Sequence, residues 1–303
     1  MKKDFLAITD LTRDEIEATY ALARDLKEKT KRGEAHPVLA GKTLAMIFQK
    51  PSARTRVSFE VGMFQLGGHA LYLAPTDIQM GKRESTADIA RVLSRYVDGI
   101  MARVFAHEDV LELAAYASVP VVNGLSDLLH PCQVLADLFT ISEHKGRAEN
   151  FTIAWVGDGN NVANSWLNMA SRFALDLRLA VPEGYDPDPE ILSSAKKAGL
   201  STISIVRDPR EAVRGADVIY TDVWASMGQE AEAEKRKAVF QPYQVNAELV
   251  ALARPDVVVM HCLPAHRGDE ITDEVMDGPH SIVFDQAENR LHVQKALLVK
   301  LMS

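Results

Sequence analysis

Cysteine is scarce in this chain: Cys132 and Cys262 are the only two among 303 residues. Two such widely separated thiols make no disulfide framework and fit a reducing compartment. An excess of positive charge is missing too. The 34 Lys and Arg are outnumbered by 42 Asp and Glu, for a net charge of −8. That balance argues against a broad nucleic-acid footprint, so any anionic ligand must be held by a local cluster of donors against an unfavourable overall field. No uninterrupted apolar run reaches the roughly 18 residues of a membrane span. The opening Met1-Lys2-Lys3-Asp4-Phe5 lacks the apolar stretch of a signal peptide. Internal repeats and low-complexity tracts are absent. The expectation is a soluble cytoplasmic protein with no membrane or nucleic-acid partner.

What is present is an alternation of strand and helix signals, long enough for two domains of roughly 150 residues each. Thr12 and Glu15 form a capping box ahead of an amphipathic run from Ile16 to Leu26. Strands are predicted at 43–48, 69–73, 99–104 and 118–122, with helices at 56–66, 85–96 and 132–143. The polar stretch from Lys145 to Asn150 suggests a boundary. Beyond it, strands are predicted at 151–156, 177–181, 201–206, 216–221, 257–261 and 281–284, and a long amphipathic helix from Glu288 to Leu301 closes the chain. The charge run from Glu230 to Lys237 reads as a solvated helix face. Strands alternating with helices imply an α/β fold of two doubly wound domains with parallel sheets. The expected division is 1–145 and 146–286, with 287–303 packing back on the first domain.

Open parallel sheets bind ligands beyond the carboxyl ends of their strands, and the unusual polar clusters fall there. Phe48 leads to Ser52-Ala53-Arg54-Thr55-Arg56, and the third strand ends near Arg103. Val122 leads to His130-Pro131-Cys132-Gln133, Val156 to Asn160-Asn161, Ile219 to Asp222, Val259 to Cys262, and Phe284 to Arg290. Two sheets facing each other across a cleft would pool these groups. The Ser52 segment sits between a strand and a helix, where unpaired N–H groups and the helix dipole suit a phosphate. Two hydroxyls and two arginines add donors.

Ser-x-Arg-Thr-Arg after a strand resembles the carbamoyl phosphate loop of the aspartate/ornithine carbamoyltransferase family. His130-Pro131-Cys132-Gln133 resembles its second signature, and His261-Cys262-Leu263-Pro264 that of the ornithine branch. Asp222 followed by Ser226-Met227-Gly228 is similar to that branch's amino-acid loop. The segments 157–165 and 284–290 also match, so six motifs appear in family order.

The resemblance implies transfer of a carbamoyl group from carbamoyl phosphate to the δ-amino group of L-ornithine, in arginine biosynthesis, by a homotrimer or a multiple of trimers that needs no cofactor. It implies that Ser52, Ala53, Arg54 and Thr55 bind the phosphate and that Arg103 spans phosphate and carbonyl. His130 would donate to the carbonyl oxygen, while Gln133 and the Leu263 carbonyl accept from the carbamoyl NH₂. Arg290 would complete the positive cluster, and Gln79 would lie in a loop reaching a neighbouring subunit. Ala53 stands where the family more often has Thr, so only its backbone N–H is expected to act. For ornithine, Asp222 suits the α-ammonium, and Asn161 and the Met227 N–H, beside Ser226, suit the carboxylate. Asp222 and Cys262 are the candidates for steering or accepting the δ-amine proton.

Other readings make different demands. His261, Cys262 and His266 fit no standard zinc spacing, so no metal is expected. Gly157-Asp158-Gly159 after a strand suggests a dinucleotide loop, but Val162 stands where the third glycine would be required. A silent binding homologue should lack some of Arg54, Arg56 and Arg103, and all three are present.

Overall fold

The computed structural model describes residues 3–81, 83–225 and 232–303. The chain divides into two compact units: Met1–Phe139 with Glu288–Ser303, and Thr140–Ala287. The division falls inside the helix Pro131–Lys145, ahead of the polar stretch that composition singles out. The last turn of that helix is tied to the second unit: His144 Nε2 lies 3.0 Å from Asp285 Oδ2, and Lys145 is paired with Asp256.

In the first unit four parallel strands, β1 (Thr43–Phe48), β2 (His69–Leu73), β3 (Gly99–Arg103) and β4 (Val121–Leu125), lie in the order β2-β1-β3-β4. β3 is buried throughout and β1 from Leu44 onward, as expected of parallel strands covered on both faces. The helix His107–Tyr116 joins β3 to β4. Sequence periodicity leaves that stretch unassigned, yet a parallel pair requires such a crossover. β4 runs three residues beyond its predicted end because Asn123-Gly124 are weak strand formers that mask its continuation. They also build a bulge: Ala102 pairs with Asn123 but Arg103 pairs with Leu125. A Cβ on Gly124 would come within 2.5 Å of Met101 Sδ, so the buried Met101 side chain would have to shift to admit any larger residue beside the bulge.

In the second unit β5 (Thr152–Val156), β6 (Asp176–Ala180), β7 (Thr202–Val206), β8 (Val218–Thr221) and β9 (Val258–His261) are all parallel, in the order β7-β6-β5-β8-β9. The sixth strand expected at 281–284 is not formed. Ser281 makes one bridge to Val259, and the chain then enters the helix Val283–Met302. A short apolar run suits a buried first helical turn as well as a strand, and Asp285 in that turn complements the helix dipole. The 230–237 charge run is not wholly solvated either: Arg236, in the helix Ala233–Phe240, is buried. Among the described residues no helix is long and apolar enough to cross a membrane.

Each sheet has a point where the order of strands reverses, between β1 and β3 in one unit and between β5 and β8 in the other. Crevices beyond the carboxyl ends of strands at such points are where open α/β sheets bind ligands.

Candidate active site

At the first reversal point β1 leads into the helix Ala53–Gln65, whose N-cap is Ser52. The Thr55 N–H donates to Ser52 Oγ at 3.3 Å, and Ser52 Oγ lies 3.1 Å from Thr55 Oγ1. The first N–H to reach a helical carbonyl is that of Arg56, which donates to Ser52 O, so the N–H groups of Ala53 and Arg54 lie in the first turn, where an anion is favoured. The two arginines of this segment part company. Arg54 is exposed on the first turn, whereas Arg56 lies 3.9 Å over the Tyr72 ring and bonds Glu60. Two residues along a helix rotate a side chain by about 200°, so the expectation that both arginines add donors to one anion is corrected to Arg54 alone.

The rest of the cluster arrives from other elements. Arg103 ends β3, opposite Phe48 of β1. Arg290 projects from the C-terminal helix and donates from Nη1 to Gln133 Oε1 at 2.5 Å. His130 precedes the helix Pro131–Lys145 and is buried. Burial holds its pKa well below the ordinary histidine range, and the charges of Arg290, Arg103 and Arg54 push it further down. The imidazole is therefore neutral near pH 7, with one N–H to donate and no charge of its own. Gln133 Nε2 donates to Asp137 Oδ1 at 2.8 Å, which fixes the amide orientation and leaves Oε1 as its acceptor. Cys132 is pushed up to about 12 by burial and stays a thiol. Gln79 lies apart on the loop after the helix Pro75–Ile78, in left-handed backbone with φ 42°.

At the second reversal point Asp222 follows β8 and Asn160 caps the helix Asn161–Ala170 after β5. Asp222 is buried and accepts three hydrogen bonds, all at 2.8 Å: from Asn160 Nδ2, from Cys262 Sγ and from the Val223 N–H. Asn161 is the first residue of that helix. Ser226 and Met227 lie outside the described residues. Gly159 is needed for close packing, since a Cβ there would sit 2.3 Å from Pro187 N, which accounts for this glycine without a dinucleotide.

Sequence reasoning missed what stands behind Cys262. The His261 side chain is fully buried against Glu270, with Nε2 3.0 Å from Oε1. The Leu263 N–H donates to His261 Nδ1 at 2.8 Å, so Nε2 carries the proton. Glu270 Oε1 also accepts the His266 N–H. This holds Leu263 in left-handed backbone at φ 59°, before a cis peptide to Pro264. Asp222, His261 and Cys262 bring possible metal ligands within 4.8 Å of one another. Both ring nitrogens of His261 are nevertheless engaged, so this set does not fit zinc. Asp158 and Arg236 were missed as well; they pair at 2.9 Å, and Arg236 also donates to the Trp224 carbonyl. Asp158 and Asn160 lie inside a quoted motif, but no sequence signal marks the distant partners Glu270 and Arg236.

A family model described as the aspartate/ornithine carbamoyltransferase carbamoyl-P binding domain matches residues 3–143. The corresponding Asp/Orn binding domain matches residues 149–301. The chain belongs to the aspartate/ornithine carbamoyltransferase family. A relative from Syntrophus aciditrophicus named ornithine carbamoyltransferase is 59% identical over 298 residues, 98% of this chain and 99% of its own. One of the same name from Thermococcus kodakarensis is 58% identical over 303 residues, 99% of this chain and 96% of its own. Among solved structures, the ornithine carbamoyltransferase from Pyrococcus furiosus superposes with a TM-score of 0.95 at 56% identity, covering 99% of this chain and 97% of that one. That from Thermus thermophilus gives 0.90 at 47% identity, with 100% of both chains covered. The first reversal point thus lies within the family's carbamoyl-P binding domain and the second within its Asp/Orn binding domain. Residues 288–301 belong to the second domain by sequence but to the first unit by packing.

Proposed function

We propose that this protein transfers the carbamoyl group of carbamoyl phosphate to the δ-amino group of L-ornithine, giving L-citrulline and phosphate. The observation that carries the reading is the opposite polarity of the two reversal points. The charges of Arg290, Arg103 and Arg54 act on buried, neutral His130 at one, and Asp222 gathers Asn160 and Cys262 at the other.

In this reading Ser52, Ala53, Arg54 and Thr55 hold the phosphate, and Arg103 spans it and the carbonyl oxygen. His130 donates its single N–H to that oxygen, which gains negative charge as the amine attacks; donors aimed at developing charge are usually the largest catalytic contribution. Gln133 Oε1 and the Leu263 carbonyl accept from the carbamoyl NH₂. Asp222 takes the α-ammonium of ornithine, and Asn161 and Met227 take its carboxylate. The attacking nitrogen bonds to the carbonyl carbon and the C–O bond to phosphate breaks, with the electron pair leaving on phosphate. The δ-ammonium loses one proton before it attacks, with Asp222 and Cys262 as the candidates for steering or accepting it. The proton left on the nitrogen after the bond forms is carried off by the departing phosphate. Both substrates must meet at ~3–3.5 Å for attack; in this reading carbamoyl phosphate binds first and ornithine second.

The assembly belongs to the same proposal: a homotrimer, with Gln79 serving a neighbouring subunit. Val57, Val61 and Phe64 support association, since they expose an apolar stripe along the helix Ala53–Gln65. The two free cysteines support a cytoplasmic setting, and arginine biosynthesis is the role proposed. The deciding experiment is steady-state activity with ornithine, aspartate, putrescine and N-acetylornithine. Citrulline formation with ornithine alone is expected; faster turnover of aspartate would overturn the reading. Light scattering should give a trimer, and an active monomer would remove that part.

A further inference from the structure

A chain of buried amides links the helix that carries Ser52 and Thr55 to Arg290. Gln294, 1% exposed, sits one turn beyond Arg290 on the C-terminal helix. Arg290 Nε donates to Gln294 Oε1 at 2.9 Å. Gln294 Nε2 donates to Ser58 Oγ at 2.7 Å, and the Ser58 hydroxyl donates to the Thr55 carbonyl at 3.2 Å. On its other side Arg290 Nη1 meets Gln133 Oε1, whose amide is itself fixed by Asp137. Guanidinium nitrogens only donate and carboxylates only accept, so both amide orientations are forced.

We propose that Gln294 is a positioning residue for phosphate recognition: through Ser58 it sets the Arg290 guanidinium against the first turn of the helix Ala53–Gln65. The inference rests on reading the Ser52 loop as the phosphate site. A flexible arginine would otherwise lose rotamer freedom when it meets the ligand; fixing Nε in advance removes that cost and sets which edge of the fork faces the anion. Gln294 itself touches no substrate. Its effect should therefore appear in phosphate affinity, not in ornithine affinity.

The test is calorimetry with inorganic phosphate, alongside steady-state kinetics, on the full-length protein and the variants Gln294→Met, Ser58→Ala and the pair. Methionine keeps the volume and removes both hydrogen bonds. Gln294→Met should weaken phosphate binding roughly tenfold, the scale of one hydrogen bond to a charged group. The KM for carbamoyl phosphate should rise in parallel, and the KM for ornithine at saturating carbamoyl phosphate should stay within about twofold. Ser58→Ala should cost about threefold, and the double variant no more than Gln294→Met alone, as linked members of one chain behave. Wild-type phosphate affinity in Gln294→Met, or equal rises in both KM values, would overturn the proposal and leave Gln294 a packing residue. Absence of phosphate binding by the unaltered protein would instead remove the phosphate reading itself, and the inference with it.

Discussion

The two units share one kind of architecture, four parallel strands in one and five in the other, and differ in the charge placed on it. Both are parallel sheets whose strand order reverses once, and both carry polar side chains beyond the strand ends at the reversal. In the first unit the gathered groups are cations and neutral donors: a helix N-terminus, Arg54, Arg103, Arg290 and an imidazole kept uncharged by burial first and by their charges second. In the second a carboxylate is held by three donors. The fold supplies a place where backbone and side chains converge, and the residues set there decide the sign of the ligand. A net charge of −8 is thus compatible with an anion site, because short-range donors outweigh a distant field that salt screens within about 10 Å.

The sharpest way to break this contrast is to empty each centre in turn. Arg54→Ala should lower kcat/KM for carbamoyl phosphate by about two to three orders of magnitude with the fold intact, because Arg54 is exposed and supports no core. Calorimetry returning the original carbamoyl phosphate affinity would sink the cationic assignment. Asp222→Asn should come next, raising the KM for ornithine on the order of 50-fold. The asparagine NH₂ would face the donors of Asn160 and Cys262 and could not pair an ammonium. Phosphate affinity should not move, and a parallel loss there would merge the two centres into one. A smaller effect concerns their coupling: ornithine should bind several-fold more tightly once the phosphate site is filled, the usual scale of linkage between sites. Titrations with and without phosphate that give one ornithine affinity would refute the order of binding.

Much of this was legible in the sequence because strand-end chemistry is local. β1, β2 and the capping box at Thr12 carry their own signals, and the Ser52 loop announces a helix start as well as donors. What was hidden depends on distance in the chain. Arg56 reads like Arg54 until helical rotation sends it to Tyr72. Glu270 gives no hint that it buries itself on His261, nor Gln294 that it bridges Arg290 and Ser58. The run at 281–284 has strand composition, but tertiary packing leaves it a single bridge before a helix. Polar composition puts the boundary at 145/146, between the stretches the two family models match, whereas contacts divide the chain within the helix Pro131–Lys145.

The smallest expected effect is on stability in mild acid, and the units should oppose each other there. In the first unit burial presses His130 well below its usual range. Burial, followed by the charge of Lys295, takes His292 down to about 4. Unfolded, both titrate near 6.5. Between pH 6.5 and about 4 the unfolded chain therefore binds more protons than the native one, so unfolding becomes easier as pH falls. In the second unit burial raises the Asp158 carboxyl, with Arg236 working against it. There the native state binds protons first, and acidification is stabilising. Burial lowers His107 in the first unit as well, so three histidines against one carboxyl give a net loss from pH 7 to pH 5. Each histidine contributes at most about 1.4 kcal/mol per pH unit. Replacing one of them, His292→Gln, should make the fall of the urea midpoint over that range shallower without touching phosphate affinity. An unchanged slope would place the acid sensitivity outside the C-terminal helix.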